Sequence, residues 1–344
     1  ATPAALMVGV GKGAEQGILI RSGEVLERAE KLTTVVFDKT GTLTLGKPVL
    51  TDLLPLAGVL ESEVLQLAGS LEHGSEHPLA AAIAEAVAAR HLELLPLEQF
   101  EAQVGEGITS KEGGDVVWFG NRSLASRFLP RLPEPVEGQL AGLEAQGKTA
   151  MVLGRADQIL GVIAVADTVR PEAEQAVALL RRRGVRVIML SGDNRTTAEA
   201  IAAQVGIAEV IAEVRPADKA GTIKSLQLDG QNVAMVGDGV NDAPALATAN
   251  IGIAIGSGSD VAKEAGDIIL MGNDVRLVVT AIGLSRATMR KIRQNLFWAF
   301  IYNGIGIPIA AFGWLNPMIA GAAMALSSLS VIVNSSLLRR YRAA

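Results

Sequence analysis

The sequence predicts an α/β fold: a doubly wound parallel sheet interrupted by an inserted α+β domain and closed by a transmembrane helical hairpin. Three observations predict it. From residue 159 to residue 271, apolar runs alternate with helically spaced segments, the pattern of strands and crossover helices in a parallel sheet. Well before that alternation begins, an isolated apolar run, Thr34-Val35-Val36-Phe37, delivers Asp38 into a Gly-containing turn. Near the end, residues 295–315 and 317–338 carry no charge; each run is about 20 residues, or roughly 30 Å as helix, which matches the hydrocarbon thickness of a bilayer.

Composition narrows the possibilities. A chain of 344 residues has room for two or three domains with their own cores. It is 49% hydrophobic with a positive mean hydropathy, and the apolar excess sits in the two C-terminal runs. The net charge is −5 and no long Lys/Arg run stands out, which argues against nucleic acid as the main partner. Without cysteine there is neither a disulfide framework nor a thiolate site in these residues. The opening Ala1-Thr2-Pro3 has no initiator Met and no signal-peptide pattern, so the chain is expected to be a piece of a longer polypeptide.

Residues 1–20 are small, apolar and Gly-rich, uncharged until Lys12, and too short before that charge to cross a bilayer. They are expected to be the cytoplasmic end of a truncated helix, and Ser22-Gly23-Glu24 a turn. A strand over 33–37 then leads into Asp38-Lys39-Thr40-Gly41-Thr42-Leu43-Thr44. At the carboxyl end of a parallel strand a carboxylate faces bound ligand, which makes Asp38 the candidate nucleophile. Backbone N–H groups around Gly41 and the hydroxyls of Thr40 and Thr42 are available to phosphate oxygens. Taken alone, an aspartate in such a turn is more often a solvated group.

A new domain is expected from residue 50, where an apolar stretch with Pro and Gly interruptions precedes helical spacing over 61–71. Ser75-Glu76-His77-Pro78 comes before an Ala-rich helix over 81–90; Pro78 suits its first turn and leaves His77 at the helix mouth, where an imidazole can stack on an aromatic ligand or simply face solvent. Gly105-Glu106-Gly107 and Gly120-Asn121 flank strand-like runs such as 116–119, and missing side chains there would let backbone approach a flat base. Residues 129–137, with three prolines, are expected to be surface loop.

Strands are expected at 152–154 and 159–166, the second ending at Asp167-Thr168-Val169-Arg170-Pro171. A helix to 183, a strand over 185–190, a helix from 196 and short strands at 210–211 and 233–236 follow. If 33–37 joins that sheet, residues 50–157 are the insertion. Three loops at strand ends carry useful groups: a hydroxyl in Leu190-Ser191-Gly192-Asp193-Asn194, a cation at Lys219 after Arg215-Pro216, and two carboxylates with an amide in Gly237-Asp238-Gly239-Val240-Asn241-Asp242. The last set suits Mg²⁺, a hard ion that takes oxygen ligands.

The last soluble stretch, 251–271, contains Gly256-Ser257-Gly258-Ser259-Asp260. A helix over 275–293 carries Arg286, Arg290, Lys291 and Arg293 toward the membrane, and Arg339, Arg340 and Arg342 close the chain. The connection at 313–317 has no basic residue, so both outer ends are expected to be cytoplasmic, with Trp298 and Trp314 in the interfacial belts. Asn295, Tyr302, Asn303, Ser327, Ser328 and Asn334 are polar where lipid penalises them and should face protein or a transport path. Met324 adds a thioether, which either packs or serves as a soft ligand suited to Cu(I).

The heptapeptide at 38–44 resembles the phosphorylation motif of P-type ATPases at all seven positions. Together with Ser191, Lys219 and Gly237-Asp238-Gly239-Val240-Asn241-Asp242-Ala243-Pro244-Ala245-Leu246, it resembles the four motifs of the haloacid-dehalogenase-like superfamily in order, with Ser191 where many P-type ATPases have Thr. The Ser-Glu-His-Pro run resembles the nucleotide-binding domain of heavy-metal members. Ala1-Thr2-Pro3-Ala4-Ala5-Leu6 and the polar pattern of the last two helices, with no acidic residue in the final one, resemble the copper(I)-transporting subgroup.

That resemblance implies a segment 1–31 from a membrane helix and linker, and a phosphorylation domain over 32–49 and 158–278. It further implies a nucleotide-binding domain over 50–157 and a membrane-entry helix with two transmembrane helices over 279–344. ATP would lie at Glu76, His77, Gly105, Gly107, Gly120 and Asn121, and Asp38 would attack its γ-phosphate. Mg²⁺ would be held by Asp38, the Thr40 carbonyl and Asp238, with Ser191, Gly192, Asp193, Lys219, Asn241 and Asp242 completing the site. Cu⁺ would pass Tyr302, Asn303, Met324 and Ser328. The protein would be integral to a membrane with its catalytic domains in the cytoplasm, and the actuator domain and earlier helices would lie upstream. Phosphatases of the superfamily place an Asp two residues after the nucleophile; Thr40 stands there here and cannot shuttle that proton. The alternatives are a P-type pump for Ag, Zn or Cd, a soluble phosphatase of the superfamily, and a non-catalytic membrane assembly module.

Overall fold

The computed structural model describes residues 2–56, 58–73, 78–103, 105–256, 260–312 and 317–341. In chain order the strands are β1 (Ile18–Ile20), β2 (Thr34–Asp38), β3 (Thr44–Pro55), β4 (Glu98–Gln103), β5 (Gly107–Glu112), β6 (Asp115–Gly120), β7 (Thr149–Arg155), β8 (Gln158–Val169), β9 (Arg186–Leu190), β10 (Glu209–Ile211), β11 (Val233–Gly237), β12 (Ile251–Ile255) and β13 (Ile268–Leu270). The chain divides into two compact units. One draws on the chain up to Asp38, Glu172–Ile188 and the chain from Pro216; the other on Lys39–Pro171 and Met189–Arg215.

In the first unit the strand order is β1-β13-β12-β11-β2-β9. β11 pairs in parallel with both β2 and β12, β12 pairs in parallel with β13, and β1 closes the edge antiparallel. Every residue of β2, β11 and β12 is buried, which is why the sequence shows them as continuous rather than alternating apolar runs. The covering helices bury one stripe each; in Ala173–Arg182 it is Ala173, Ala176, Val177 and Leu180, with Arg181 and Arg182 at the dipole's negative end.

Two expectations change in this unit. Gly23–Glu30 is a helix rather than a turn: Val25, Leu26 and Ala29 fall on one buried face, and Glu24 sits favourably in the first turn. The basic helix and the first charge-free run are one continuous helix, Arg276–Ala311, of 36 residues. Among the described residues, Ala320–Arg340 is the one helix long and apolar enough to cross a membrane, with mean hydropathy 1.5 and 11% of its apolar window buried. Trp314 and Arg342 lie outside the described residues.

In the second unit six antiparallel strands run in the order β3-β8-β7-β6-β5-β4. Both faces are covered, and the two cores follow the period-two alternation of the strands. Val117, Phe119, Met151, Leu153 and Ile163 face helices Glu61–Leu71 and Pro78–Ala89. Trp118, Ala150, Val152, Val162 and Ala164 face the opposite way, toward Val136, Leu140 and Leu143 of helix Glu134–Glu144. The expected loop over 129–137 therefore ends in a helix. Its prolines fit because Pro133 caps it and Pro135 lies in the first turn, where N–H groups have no intrahelical partner. The strand after the Asp38 loop begins at Thr44, earlier than the apolar run indicates; β3 is an edge strand, the place where a sheet tolerates Pro48.

Trp118 is fully buried, stacks on Phe128 with ring centroids 5.2 Å apart and donates its indole N–H to the Ala156 carbonyl at 2.9 Å. Trp118→Ala is expected to destabilise this unit by about 3–5 kcal/mol in denaturant unfolding, the cost of an aromatic-sized cavity. A loss below about 1 kcal/mol, the scale of a tolerated core change, would contradict its place at the centre of this core.

Candidate active site

Parallel pairing sets the site. Phe37 lies opposite Val236, so β2 and β11 end level with each other and hand Asp38 and Gly237-Asp238 to the same end of the sheet. Asp38 is the last residue of β2 and 6% exposed. Gly237 has a specific reason to lack a side chain: a Cβ there would stand 2.6 Å from Oδ2 of Asp242. Its absence admits that carboxylate, which is 2% exposed. Asn241 is exposed on the short turn Val240–Asp242.

Lys219 is the first residue of helix Lys219–Leu228. A cation at a helix N-terminus opposes the dipole, so something else must hold it there. Its Nζ donates to Asp38 Oδ1 at 2.6 Å and to Asp242 Oδ1 at 2.7 Å. Oxygens of Asp38, Asp238 and Asp242 all lie within 4.8 Å of one another. Burial, with the Asp242 carboxylate and then Asp238 adding to it against the opposing Lys219, pushes the Asp38 carboxyl up to about 7. Burial works against the Lys219 ammonium, but Asp38 and Asp242 outweigh it and raise its pKa. Three carboxylates around one ammonium leave surplus negative charge on hard oxygen donors, a set that fits Mg²⁺.

In the second unit the loop Lys39–Leu43 turns at Gly41, whose φ of +71° is the left-handed region. Thr40 is extended, with φ −75° and ψ 129°. Two residues that the sequence left without a role hold this loop. Arg170, 4% exposed, donates Nε to the Thr42 carbonyl at 2.9 Å and Nη2 to the Gly41 carbonyl at 2.7 Å. Asp167 accepts from the N–H groups of Gly46 and Lys47 and from the Thr44 hydroxyl. The signal for both was their place at the end of an apolar strand. Thr42 is fully buried and its hydroxyl has no hydrogen-bond partner among the described residues.

Lys39 Nζ lies 2.5 Å from Asp193 Oδ2. Ser191, 1% exposed, donates its N–H to Ile211 at 3.0 Å, and its hydroxyl accepts the Asp193 N–H at 3.1 Å across Gly192. The expected catalytic residues thus form two sets: Asp38, Lys219, Asp238, Asn241 and Asp242 in the first unit, and Thr40, Ser191, Gly192 and Asp193 in the second.

Four of the expected base-binding residues, Gly105, Gly107, Gly120 and Asn121, meet at one corner of the antiparallel sheet. Gly107 pairs with Gly120, the Asn121 N–H donates to Glu106, and Asn121 Nδ2 donates to the Gly105 carbonyl at 2.9 Å. Asn121 also caps helix Arg122–Ala125. The glycines divide in kind. A Cβ on Gly107 would stand 2.2 Å from the Phe119 carbonyl and one on Gly120 2.3 Å from that of Glu106, so chain-on-chain contact accounts for these two. Gly105, at φ +78°, opens onto free space. Glu76 and His77 lie outside the described residues. Of the expected Cu(I)-path residues, Met324 is 72% exposed, Asn303 and Ser328 are exposed and Tyr302 is half-buried; Asn303 donates to the Ala299 carbonyl of its own helix.

Comparison with known proteins adds to this geometry. A haloacid dehalogenase-like hydrolase model matches residues 32–250. A copper-exporting P-type ATPase of Bacillus subtilis is 50% identical over 99% of this chain, which spans 42% of that protein. A probable copper-exporting P-type ATPase V of Mycobacterium tuberculosis is also 50% identical over 99% of this chain and is spanned to 44%. The chain therefore covers less than half the length of these relatives. Among solved structures, a zinc-transporting PIB-type ATPase in the E2.Pi state superposes with a TM-score of 0.74 at 39% identity, covering 98% of this chain and 55% of that one. The catalytic domain of a CPx-ATPase, CopB-B, does so with a TM-score of 0.61 at 28% identity, covering 80% of this chain and 98% of that one.

The charge cluster predicts a pH signature. Between the usual 3.8 and about 7, folded Asp38 keeps a proton that the unfolded chain has released, so its contribution to stability falls as pH rises through that window. Asp38→Asn is expected to leave metal-free stability nearly unchanged at about pH 4 and to raise it by about 1–3 kcal/mol at about pH 8. Thermal unfolding across that range checks this; a difference that does not grow with pH contradicts the assignment.

Proposed function

We propose, from the premise that this chain belongs to the haloacid dehalogenase-like hydrolase family, that it is the ATP-hydrolysing and closing membrane part of a copper(I)-exporting P-type ATPase. The observation that carries the reading is Asp38 at the carboxyl end of β2, bonded to Lys219 at 2.6 Å and grouped with Asp238 and Asp242. In this reading the first unit, without its membrane helices, is the core of the phosphorylation domain, 50–157 is the nucleotide-binding domain, and both lie in the cytoplasm beside a bilayer-spanning hairpin.

ATP supplies the γ-phosphoryl group. An Asp38 oxygen forms a bond to phosphorus as the bond to the bridging oxygen of ADP breaks, and ADP leaves with that electron pair. Little covalent work falls to the protein; positioning and charge stabilisation dominate. Lys219 offsets negative charge on the transferring oxygens and holds Asp38 in place. The Thr42 and Ser191 hydroxyls are of the kind that donate to phosphoryl oxygens, and the Arg170 clamp fixes the peptides of Gly41 and Thr42. Asp38, the Thr40 carbonyl and Asp238 would hold Mg²⁺, which when bound supplies positive charge to the phosphates and favours ionised Asp38. Thr40 does not ionise near neutral pH and cannot serve as the general acid and base that an Asp there would be, so the acyl phosphate outlives the transfer step, as a pump needs.

Copper as cargo is supported by the thioether of Met324 and by the lack of any Asp or Glu in helix Pro317–Ser336. Tyr302, Asn303 and Ser328 are the polar companions of that path. The full-length protein in lipid is expected to hydrolyse ATP with at least about tenfold stimulation by Cu⁺ over Zn²⁺, a preference of soft over borderline ligands. Greater stimulation by Zn²⁺ would overturn the choice of metal, and hydrolysis insensitive to every metal would overturn the pump.

A further inference from the structure

We propose that Tyr341, Arg183 and Gly283 form a clasp that ties the end of the last apolar helix to the helix carrying Arg183, so that movement in the phosphorylated unit reaches the membrane hairpin. The clasp as a contact stands independently of the activity proposed above; its coupling role rests on that reading.

Helix Pro317–Ser336 runs into a tight turn, Leu337–Arg340, which is anchored by Leu338 while Leu337, Arg339 and Arg340 are exposed. Leu338 is 3% exposed and clusters with Ala5 of helix Thr2–Glu15 and Ile292 of helix Arg276–Ala311. Tyr341 follows, half-buried; its N–H donates to the Leu338 carbonyl at 2.9 Å and its carbonyl accepts Gln16 Nε2 at 3.3 Å. Its phenol lies directly over Gly283: a Cβ at that position would stand 2.2 Å from the Tyr341 hydroxyl and 2.7 Å from Arg183 Nη1. Gly283 sits inside a long helix, where glycine is a poor helix former, and its missing side chain is what opens this contact.

Arg183 joins the parts. It ends helix Ala173–Arg182, donates Nη1 to the Val279 carbonyl at 2.7 Å, bonds the Tyr341 side chain, and accepts Arg286 Nη1 on its own carbonyl at 3.3 Å. Burial raises the Tyr341 pKa against the opposing Arg183, so the phenol stays neutral at physiological pH and the contact does not switch off there. Helix Ala173–Arg182 packs on helix Arg276–Ala311. A shift of the first helix therefore bears on the second helix and, through Tyr341, on the chain leaving the membrane span. Packed helices and the hydrogen bonds between them are the medium through which two sites can couple.

The test uses the full-length protein in lipid vesicles and two variants, Gly283→Ala, which fills the space under the phenol, and Tyr341→Phe, which removes only the hydroxyl. Timed trypsin cleavage after Arg340 reads the clasp; phosphorylation rate and metal moved per ATP read coupling. Gly283→Ala is expected to be cut about tenfold faster, with Tyr341→Phe between it and the parent, the response of a locally opened segment. Both variants should phosphorylate within about twofold of the parent while metal moved per ATP falls several-fold, because the change lies outside the reacting site. Unchanged cleavage in both variants overturns the clasp, and faster cleavage with unchanged metal per ATP overturns its coupling role. If the parent forms no phosphoenzyme, the pump reading fails and coupling with it, while the cleavage arm still decides the contact.

Discussion

One ammonium bridging two carboxylates holds the centre of this molecule. Lys219 meets Asp38 and Asp242 at 2.6 and 2.7 Å, in a pocket where none of the three is more than 8% exposed. Removing Lys219 would leave the buried carboxylates without their counter-ion, which is why the ammonium is held so closely in place. The backbone meets that demand from three sides: β2 ends on Asp38, Gly237 at the end of β11 makes room for Asp242, and a helix begins on Lys219 against its own dipole. Burial raises the pKa of Asp38, and the cluster's surplus of negative charge, from Asp242 and then Asp238, adds to it. A carboxyl whose pKa is raised to about 7 is readily ionised when positive charge arrives, so its protonation is tied to what binds beside it.

Much of this was legible in the sequence, for a physical reason. Strands buried on both faces must be continuous apolar runs, so β2 and β11 stood out, and the polar residues ending them could only lie at the ligand-binding end of the sheet. Lys219 was visible as a cation after Arg215-Pro216. Less legible were the features set by tertiary contact. The polar opening of β3 hides a strand because edge strands tolerate Pro48, and the prolines at 133 and 135 look like loop until a helix start is recognised around them. Arg170 and Asp167 carry no local signal of their work, since the carbonyls and N–H groups they hold lie more than a hundred residues earlier in the chain.

The glycines teach a similar lesson. A missing side chain looks the same in sequence whether a ligand, another strand or a side chain fills the space. Gly107 and Gly120 approach backbone of their own sheet, Gly237 admits a carboxylate, Gly283 lies under a phenol, and Gly105 opens outward. Of the glycines at the Asn121 corner only Gly105 leaves open space, and its φ of +78° is a backbone reason of its own for the missing side chain.

The identity of the residue that receives phosphate decides the account. Protein exposed briefly to ATP and Mg²⁺, quenched in acid and reduced with borohydride converts an aspartyl phosphate to homoserine, which peptide mass spectrometry locates. The account predicts homoserine at position 38 and nowhere else. An unmodified Asp38 in protein that carries phosphate on another residue would contradict it.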